Sequence, residues 1–323
     1  MSTASPHWLE PTASSLIGQL RQEQLGHAPL IQGPAGVGKK WLANVLAGAL
    51  LCTEPQASGG NACGRCHACQ LHQNGTHPDY FFVEPPEPGR QILVDQVREL
   101  VDQLVLTPSI GRYRLGLIAP AENMNDSAAN ALLKTLEEPP DNVWLILVSH
   151  SPQRLLPTIR SRCQKVPIGP PSRSIGMAWL QEQQPDCSER ACDLALRMSS
   201  GAPLLAFEKL SLGHVEAADL VLDQLHQLAM GECAALGLAD RWANEQASII
   251  WPLLAFWISE LSLAPHESMA DHRLKNLSHK AASNDWAFLW SGALEAIASL
   301  GTGRRQDLLM SAWLLEWADS FKN

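Results

Sequence analysis

A glycine-rich segment near the amino terminus has the composition of a phosphate-binding loop. Residues 33–40 read Gly-Pro-Ala-Gly-Val-Gly-Lys-Lys. Glycines allow several backbone N–H groups to point at one anion, and the start of a following helix adds the positive end of its dipole. The loop glycines are Gly33, Gly36 and Gly38. Lys39 would supply a positive charge to the phosphates, so the segment predicts a nucleotide-phosphate site.

The last position of this loop departs from the pattern that ATP hydrolysis requires. The pattern G-x-x-x-x-G-K-[ST] ends in a hydroxyl that holds Mg²⁺, whereas this chain has Lys40 there. The surroundings still fit, because an apolar run (29–31) precedes the loop and a helical pattern (41–50) follows it. The loop could therefore cradle phosphates without holding the metal, and the sequence leaves nucleotide binding open.

A second group of residues has the spacing of a metal site. Cys63, Cys66 and Cys69 are each separated by two residues, and Cys52 lies a short loop upstream. Four thiolates in a closed tetrahedron suit Zn²⁺. We therefore predict a structural zinc site in an insert at about residues 52–69, after the helix that follows the phosphate-binding loop.

Other interpretations of the cysteines stay open. The segment from Cys63 to His67 also reads C-x-x-C-H, the covalent haem motif, but that chemistry would leave Cys52 and Cys69 without a role. An iron–sulfur cluster uses the same number of thiolates. His67 could also replace one thiol, or the cysteines could be unrelated reduced thiols.

The composition is that of an ordinary globular protein. The 323 residues are 46% hydrophobic and 18% charged, with a formal net charge of −9. The acidic balance argues against a protein whose own surface binds nucleic acid, because phosphate neutralisation needs a basic face. We find no signal-peptide pattern and no apolar run near the ~18 residues that span a bilayer. We expect a cytoplasmic protein with reduced cysteines and no membrane partner.

Strand and helix patterns alternate through the first half of the chain. The strand candidates are 30–32, 80–83, 115–118 and 143–148. Such alternation predicts an α/β domain with a parallel sheet between helices. A proline- and glycine-rich run at 167–172 indicates a hinge, and strand patterns vanish beyond it. We predict an α/β domain over 1–167, a small helical unit over 168–210 and a larger all-α unit over 211–323.

Two later motifs resemble a known family. Residues 130–140 read N-A-L-L-K-T-L-E-E-P-P, and Ser161-Arg162-Cys163 follows them. With the loop and the inserted cysteines, they resemble the clamp-loader branch of AAA+ ATPases, in particular the DNA polymerase III clamp-loader subunits of bacteria. The resemblance covers roughly 15–165, and beyond that only helical character and length match. It implies an AAA+ (RecA-like) parallel-sheet domain with a zinc-binding insert, a small helical lid and an all-α collar domain.

The family has ATP-hydrolysing subunits of the gamma/tau type and a delta-prime type. The resemblance places the acidic residues that hold Mg²⁺ and orient water at Ala119-Pro120, and the sensor arginine of the lid at Leu204. None of these can do that chemistry, and with Lys40 they indicate the delta-prime type without intrinsic ATPase activity. The alternatives are a gamma/tau-like ATPase that uses the out-of-register Glu122, or a zinc-containing DNA-binding protein.

The resemblance assigns Arg162 the role of an arginine finger, which would act in the nucleotide site of a neighbouring subunit, with Ser161 and Cys163 as its motif. The other interpretation is a surface arginine that caps a helix or pairs with an acid. Glu137 and Glu138 lie at a predicted helix carboxyl end, and we interpret them as interface or solvated charges without a catalytic role.

The resemblance also implies partners. A delta-prime subunit would be a rigid structural member of a hetero-oligomeric ring with gamma/tau ATPase subunits and a delta subunit. Through that assembly it would act on the sliding clamp and primed DNA during replication.

Overall fold

The computed structural model describes residues 5–55, 60–87, 89–245, 247–263, 271–280 and 286–321. The chain forms two compact units, Met1–Phe207 and Glu208–Asn323. No helix in the described ranges is long and apolar enough to cross a membrane.

The first unit is built on a parallel sheet of five strands in the order β2-β3-β4-β1-β5. The strands are β1 (Pro29–Gln32), β2 (Tyr80–Val83), β3 (Arg114–Ile118), β4 (Val143–Ser149) and β5 (Gln164–Pro167). The predicted α/β parallel-sheet fold is therefore confirmed. The sequence pattern did not predict β5, because Val166 is its only buried residue.

Helices cover both faces of this sheet. They are α1 (Glu10–Arg21), α2 (Lys39–Leu51), α3 (His67–Gln73), α4 (Val94–Leu104), α5 (Asp126–Glu137) and α6 (Pro157–Arg162). Every residue of β3 and β4 is buried, which explains why these strands read as continuous runs. Alternate residues of β4 point to opposite faces: Ile146 packs in the hydrophobic cluster of α1 and α2, and Leu145 in that of α4 and α5.

The rest of the described chain is helical. The helices are α7 (Arg173–Gln183), α8 (Glu189–Met198), α9 (Pro203–Ser211), α10 (His214–Met230), α11 (Ala235–Glu245), α12 (Ala247–Leu263), α13 (His272–Lys280), α14 (Trp286–Ala298) and α15 (Gln306–Asp319). In the second unit, buried tryptophans donate indole N–H bonds to helix carbonyls: Trp257 Nε1 to Ala218 O (2.9 Å) and Trp317 Nε1 to Leu225 O (3.1 Å). These bonds satisfy the polar end of each large side chain.

A buried carboxylate fastens the loop between α4 and β3. Asp79 is fully buried, accepts hydrogen bonds from the backbone N–H groups of Ser109 (2.8 Å) and Ile110 (2.7 Å), and lies 3.3 Å from Nε of Arg114. Ile110 in turn packs against the cysteine cluster. Asp79 therefore ties the sheet to the loop that supports the cysteines.

Replacing Asp79 by alanine should lower the free energy of unfolding by about 3–5 kcal/mol. The change leaves the buried guanidinium of Arg114 and two backbone N–H groups without their carboxylate. Urea unfolding measures the loss, and Asp102→Ala, at an exposed position of α4, is the matched control. Equal stabilities of the two variants would contradict this role of Asp79.

Candidate functional site

The predicted phosphate-binding loop joins β1 to α2, and its glycines are there for steric reasons. A Cβ at Gly33 would lie 1.9 Å from the carbonyl oxygen of Ile168. Gly36 and Gly38 have positive φ angles of 76° and 96°, which side chains with a Cβ rarely adopt. The loop therefore has the tight backbone that its sequence pattern indicates.

Other parts of the first unit pack directly on this loop. The N–H of Leu204 donates to the carbonyl of Gly36 (3.1 Å), and a Cβ at Gly36 would lie 2.4 Å from Cβ of Leu205. From the amino-terminal side, the indole of Trp8 donates to the carbonyl of Val37 (3.1 Å). The start of α9 and the segment before α1 thus hold the loop from two sides.

The loop lysine makes its bonds inside the loop. Lys39 is only 2% exposed, and its Nζ donates to the carbonyl oxygens of Gly33 (2.7 Å) and Pro34 (2.5 Å). Burial lowers the pKa of Lys39 to about 8, against the opposing effect of the Glu122 carboxylate. The ammonium therefore donates hydrogen bonds to carbonyl oxygens of the loop itself.

The side chain of Lys40 lies against residues at the end of β2. Its Nζ lies 3.2 Å from Oε2 of Glu84 and 4.3 Å from the centre of the Phe82 ring. The position at which the family pattern has a magnesium-binding hydroxyl therefore carries an exposed cation directed at the end of β2.

Ala119 and Pro120, where the resemblance places the acidic residues that hold Mg²⁺ and orient water, follow directly after β3, and Ala119 is buried. The nearby Glu122 is 8% exposed, and its Oε1 accepts hydrogen bonds from the N–H groups of His150 (2.8 Å) and Ser151 (3.0 Å). Burial lowers the pKa of His150, the Lys39 charge lowers it further, and Glu122 opposes both effects. Glu122 thus ties the turn after β3 to the turn after β4.

The four predicted metal ligands converge. The sulfur atoms of Cys52, Cys63, Cys66 and Cys69 all lie within 4.8 Å of one another. The Cys52–Cys66 and Cys63–Cys69 sulfur pairs are 3.9 and 4.0 Å apart. Tetrahedral Zn–S bonds of ~2.3 Å place sulfurs about 3.8 Å apart, so the donor set fits this ion. Among the described residues, His67 does not belong to the converging group.

Backbone N–H groups point at the cysteine sulfurs. Cys63 N donates to Cys52 Sγ (3.3 Å), Cys66 N to Cys63 Sγ (3.3 Å) and Cys69 N to Cys66 Sγ (3.4 Å). The last of these bonds caps the amino end of α3. Such donors stabilise negative charge on sulfur, which favours the thiolate form that binds a metal.

Arg162 ends α6 and is partly exposed. Its NH1 donates to the carbonyl of Thr158 (3.0 Å), and its NH2 forms an ion pair with Glu137 at the end of α5. Cys163 is buried, whereas Ser161 is exposed and donates to the same Thr158 carbonyl (3.0 Å). The sequence left a pairing of Arg162 with an acid open, and the partner is Glu137.

The pH dependence of stability tests the burial of Lys39. The unfolded chain keeps this proton up to about pH 10.5, whereas the folded protein loses it near pH 8. Between these values the unfolded state binds more protons, so the contribution of Lys39 to stability becomes more favourable as pH rises. Relative to a Lys39→Met variant, the free energy of unfolding should therefore increase from about pH 8 to 10 and stay level below about pH 8.

Urea unfolding at several pH values measures this difference. The matched control is Lys40→Met, which removes an exposed lysine one position along and should give a curve parallel to that of the unmodified chain. Parallel curves for Lys39→Met as well would contradict the buried position of the ammonium.

The chain is similar in sequence to known proteins. A family model described as "DNA polymerase III, delta subunit" matches residues 8–172. The DNA polymerase III subunit delta' of Pseudomonas aeruginosa is 39% identical over 96% of this chain and 89% of its own length. The subunit delta' of Escherichia coli is 40% identical over 61% of this chain and 58% of its own length.

A solved structure, that of a DNA polymerase III gamma subunit-related protein from Thermotoga maritima, aligns over 95% of this chain and all of that one. Its TM-score is 0.49 and its sequence identity 19%. The relatives in sequence, and not this superposition, decide the family. On the family match and the 39% identity over nearly its whole length, the chain belongs to the DNA polymerase III subunit delta' family.

Proposed function

We propose that the chain is a non-hydrolysing AAA+ subunit of the bacterial replicative clamp loader, the delta-prime subunit. The relatives named subunit delta' support the clamp-loader role. The observation that carries the non-hydrolysing part is the position next to Lys39, where Lys40, paired with Glu84, stands in place of the hydroxyl that would hold Mg²⁺. Lys39 itself keeps its charge, because the carbonyls of Gly33 and Pro34 that accept its hydrogen bonds are neutral.

The other hydrolytic positions support the same conclusion. Hydrolysis needs a hydroxyl and a carboxylate on Mg²⁺ and a base that orients the attacking water. This chain offers Lys40 paired with Glu84, and Ala119 and Pro120 in place of acids. At the lid position Leu204 has no charge, and its N–H is bonded to Gly36.

Arg162 is the residue that we propose to act in catalysis, in the site of an adjoining subunit. Its side chain is 34% exposed, and its backbone is held by the buried neighbours Ile159 and Cys163. A rigid anchor with a charged, planar end is what an arginine finger requires.

We further propose that the partners are gamma/tau ATPase subunits and a delta subunit in a hetero-oligomeric ring in the cytoplasm. The assembly, and not the acidic surface of this chain alone, would meet the sliding clamp and primed DNA. Residues 1–167 would be the AAA+ core, 168–210 the lid and 211–323 the collar domain. Exposed apolar side chains on α14 and α15 support docking of the last part: Trp290, Leu294, Leu308 and Leu315.

The cysteine cluster is proposed to hold one structural Zn²⁺. All four ligands come from the protein, so no position is open for catalysis, and the ion would stabilise the insert. Packing of Ile110 on the cluster connects this insert to the rest of the first unit.

Replacing Arg162 by alanine should slow ATP turnover at the adjoining site by roughly 10³–10⁵ while the clamp loader still assembles. The loss follows from removing positive charge beside the transferring phosphoryl group. Steady-state ATP turnover and clamp loading by the reconstituted complex measure it.

The matched control for Arg162 is Arg154→Ala, which removes an exposed arginine from the turn before α6 and should leave turnover unchanged. Wild-type turnover and clamp loading with the Arg162→Ala subunit would overturn the finger role.

The purified chain should contain about one zinc ion, and Cys66→Ser should lose it and unfold at a lower temperature. Elemental mass spectrometry and thermal unfolding measure both effects. Cys233→Ser, outside the cluster, is the control and should retain the metal. Iron in place of zinc, or a metal content that does not change in Cys66→Ser, would contradict the assignment.

A further inference from the structure

Glu137 occupies an electrostatically unfavourable position. It is the last residue of α5, where a negative charge faces the negative end of the helix dipole, and Glu138 follows it directly. The ion pair with NH2 of Arg162 offsets this repulsion. Arg162 is itself well placed, because a cation at the end of α6 interacts favourably with that helix.

The ion pair is not needed to hold the two helix ends together. Leu136, beside Glu137, is 3% exposed, and Ile159 and Cys163, on either side of Arg162, are 0% and 8% exposed. All three belong to one hydrophobic cluster under the sheet. Because this packing fixes both backbones, the two charged side chains can separate without unfolding either helix.

The hydrogen bond and the ion pair of Arg162 use the guanidinium N–H groups that a phosphate would bind. NH1 donates to the carbonyl of Thr158, and NH2 is taken by the Glu137 carboxylate. Guanidinium binds carboxylate and phosphate through the same planar N–H fork. Two anions on one fork repel each other, so a phosphate and Glu137 compete for Arg162.

We propose that Glu137 is a positioning residue that holds Arg162 in a parked state, and that the arginine must exchange this carboxylate for the phosphate of the neighbouring subunit's nucleotide. This inference rests on the proposed role of Arg162 as an arginine finger. In the assembled clamp loader, Glu137 makes finger engagement less favourable and so restrains turnover until the two subunits are closely apposed.

The size of the restraint follows from the exposure of the pair. The side chains of Arg162 and Glu137 are 34% and 47% exposed, so water and salt weaken their attraction. Exposed ion pairs of this kind shift equilibria by about two- to fivefold. Glu137 therefore tunes the adjoining site and does not switch it off.

The test is ATP turnover by the reconstituted clamp loader carrying Glu137→Gln. We expect kcat/KM to rise about two- to fivefold at low salt and the gain to shrink as ionic strength increases. Glu137→Asp, which keeps the charge on a shorter side chain, should give a smaller rise. Asp141→Asn is the matched control, because it removes an exposed carboxylate four residues further along the chain, and it should have no effect.

A double variant separates this inference from the proposed function. Glu137→Gln should have no effect on turnover in an Arg162→Ala background, because the restrained group is then absent. If Arg162→Ala slows turnover but Glu137→Gln leaves it unchanged or lowers it, the parked state is overturned and the finger role stands. If Arg162→Ala leaves turnover unchanged, the finger role itself fails.

Discussion

The hydrogen bonds from the Lys39 ammonium to the carbonyls of Gly33 and Pro34 hold the loop between β1 and α2 in its tight conformation. A buried ammonium must have acceptors. Here the loop supplies them itself, and its backbone is fixed further by Leu204 on Gly36 and Trp8 on Val37. The loop is thus a brace between the sheet, the start of α9 and the segment before α1.

This brace fits a subunit that contributes to catalysis elsewhere. In the proposed clamp loader, the positions that would bind Mg²⁺ and ATP in this chain carry Lys40, Ala119 and Pro120. The charge that we propose to act in catalysis is that of Arg162, on the short helix α6. A rigid frame places that arginine with little loss of conformational freedom on assembly, which is the condition under which a single charge lowers a barrier most.

Several elements could be predicted from sequence because a local pattern specifies them. The apolar runs of β3 and β4 and the two-residue gaps among Cys63, Cys66 and Cys69 are of this kind. The short edge strand β5, with one buried residue, has no such pattern. The pairing of Glu137 with Arg162 depends on two helix ends meeting in the fold. Likewise, the loop pattern specifies Lys39, whereas its hydrogen bonds to the carbonyls of Gly33 and Pro34 depend on the folded course of the loop backbone.

The most direct test of this account is Mg²⁺-dependent ATP hydrolysis by the isolated chain, with and without Lys39→Ala. The account predicts no turnover above background and no change in the variant, because Lys40 replaces the hydroxyl that would hold Mg²⁺ and Ala119 and Pro120 replace the acids. ATP turnover that Lys39→Ala abolishes would show that the loop supports hydrolysis, and would contradict the central claim.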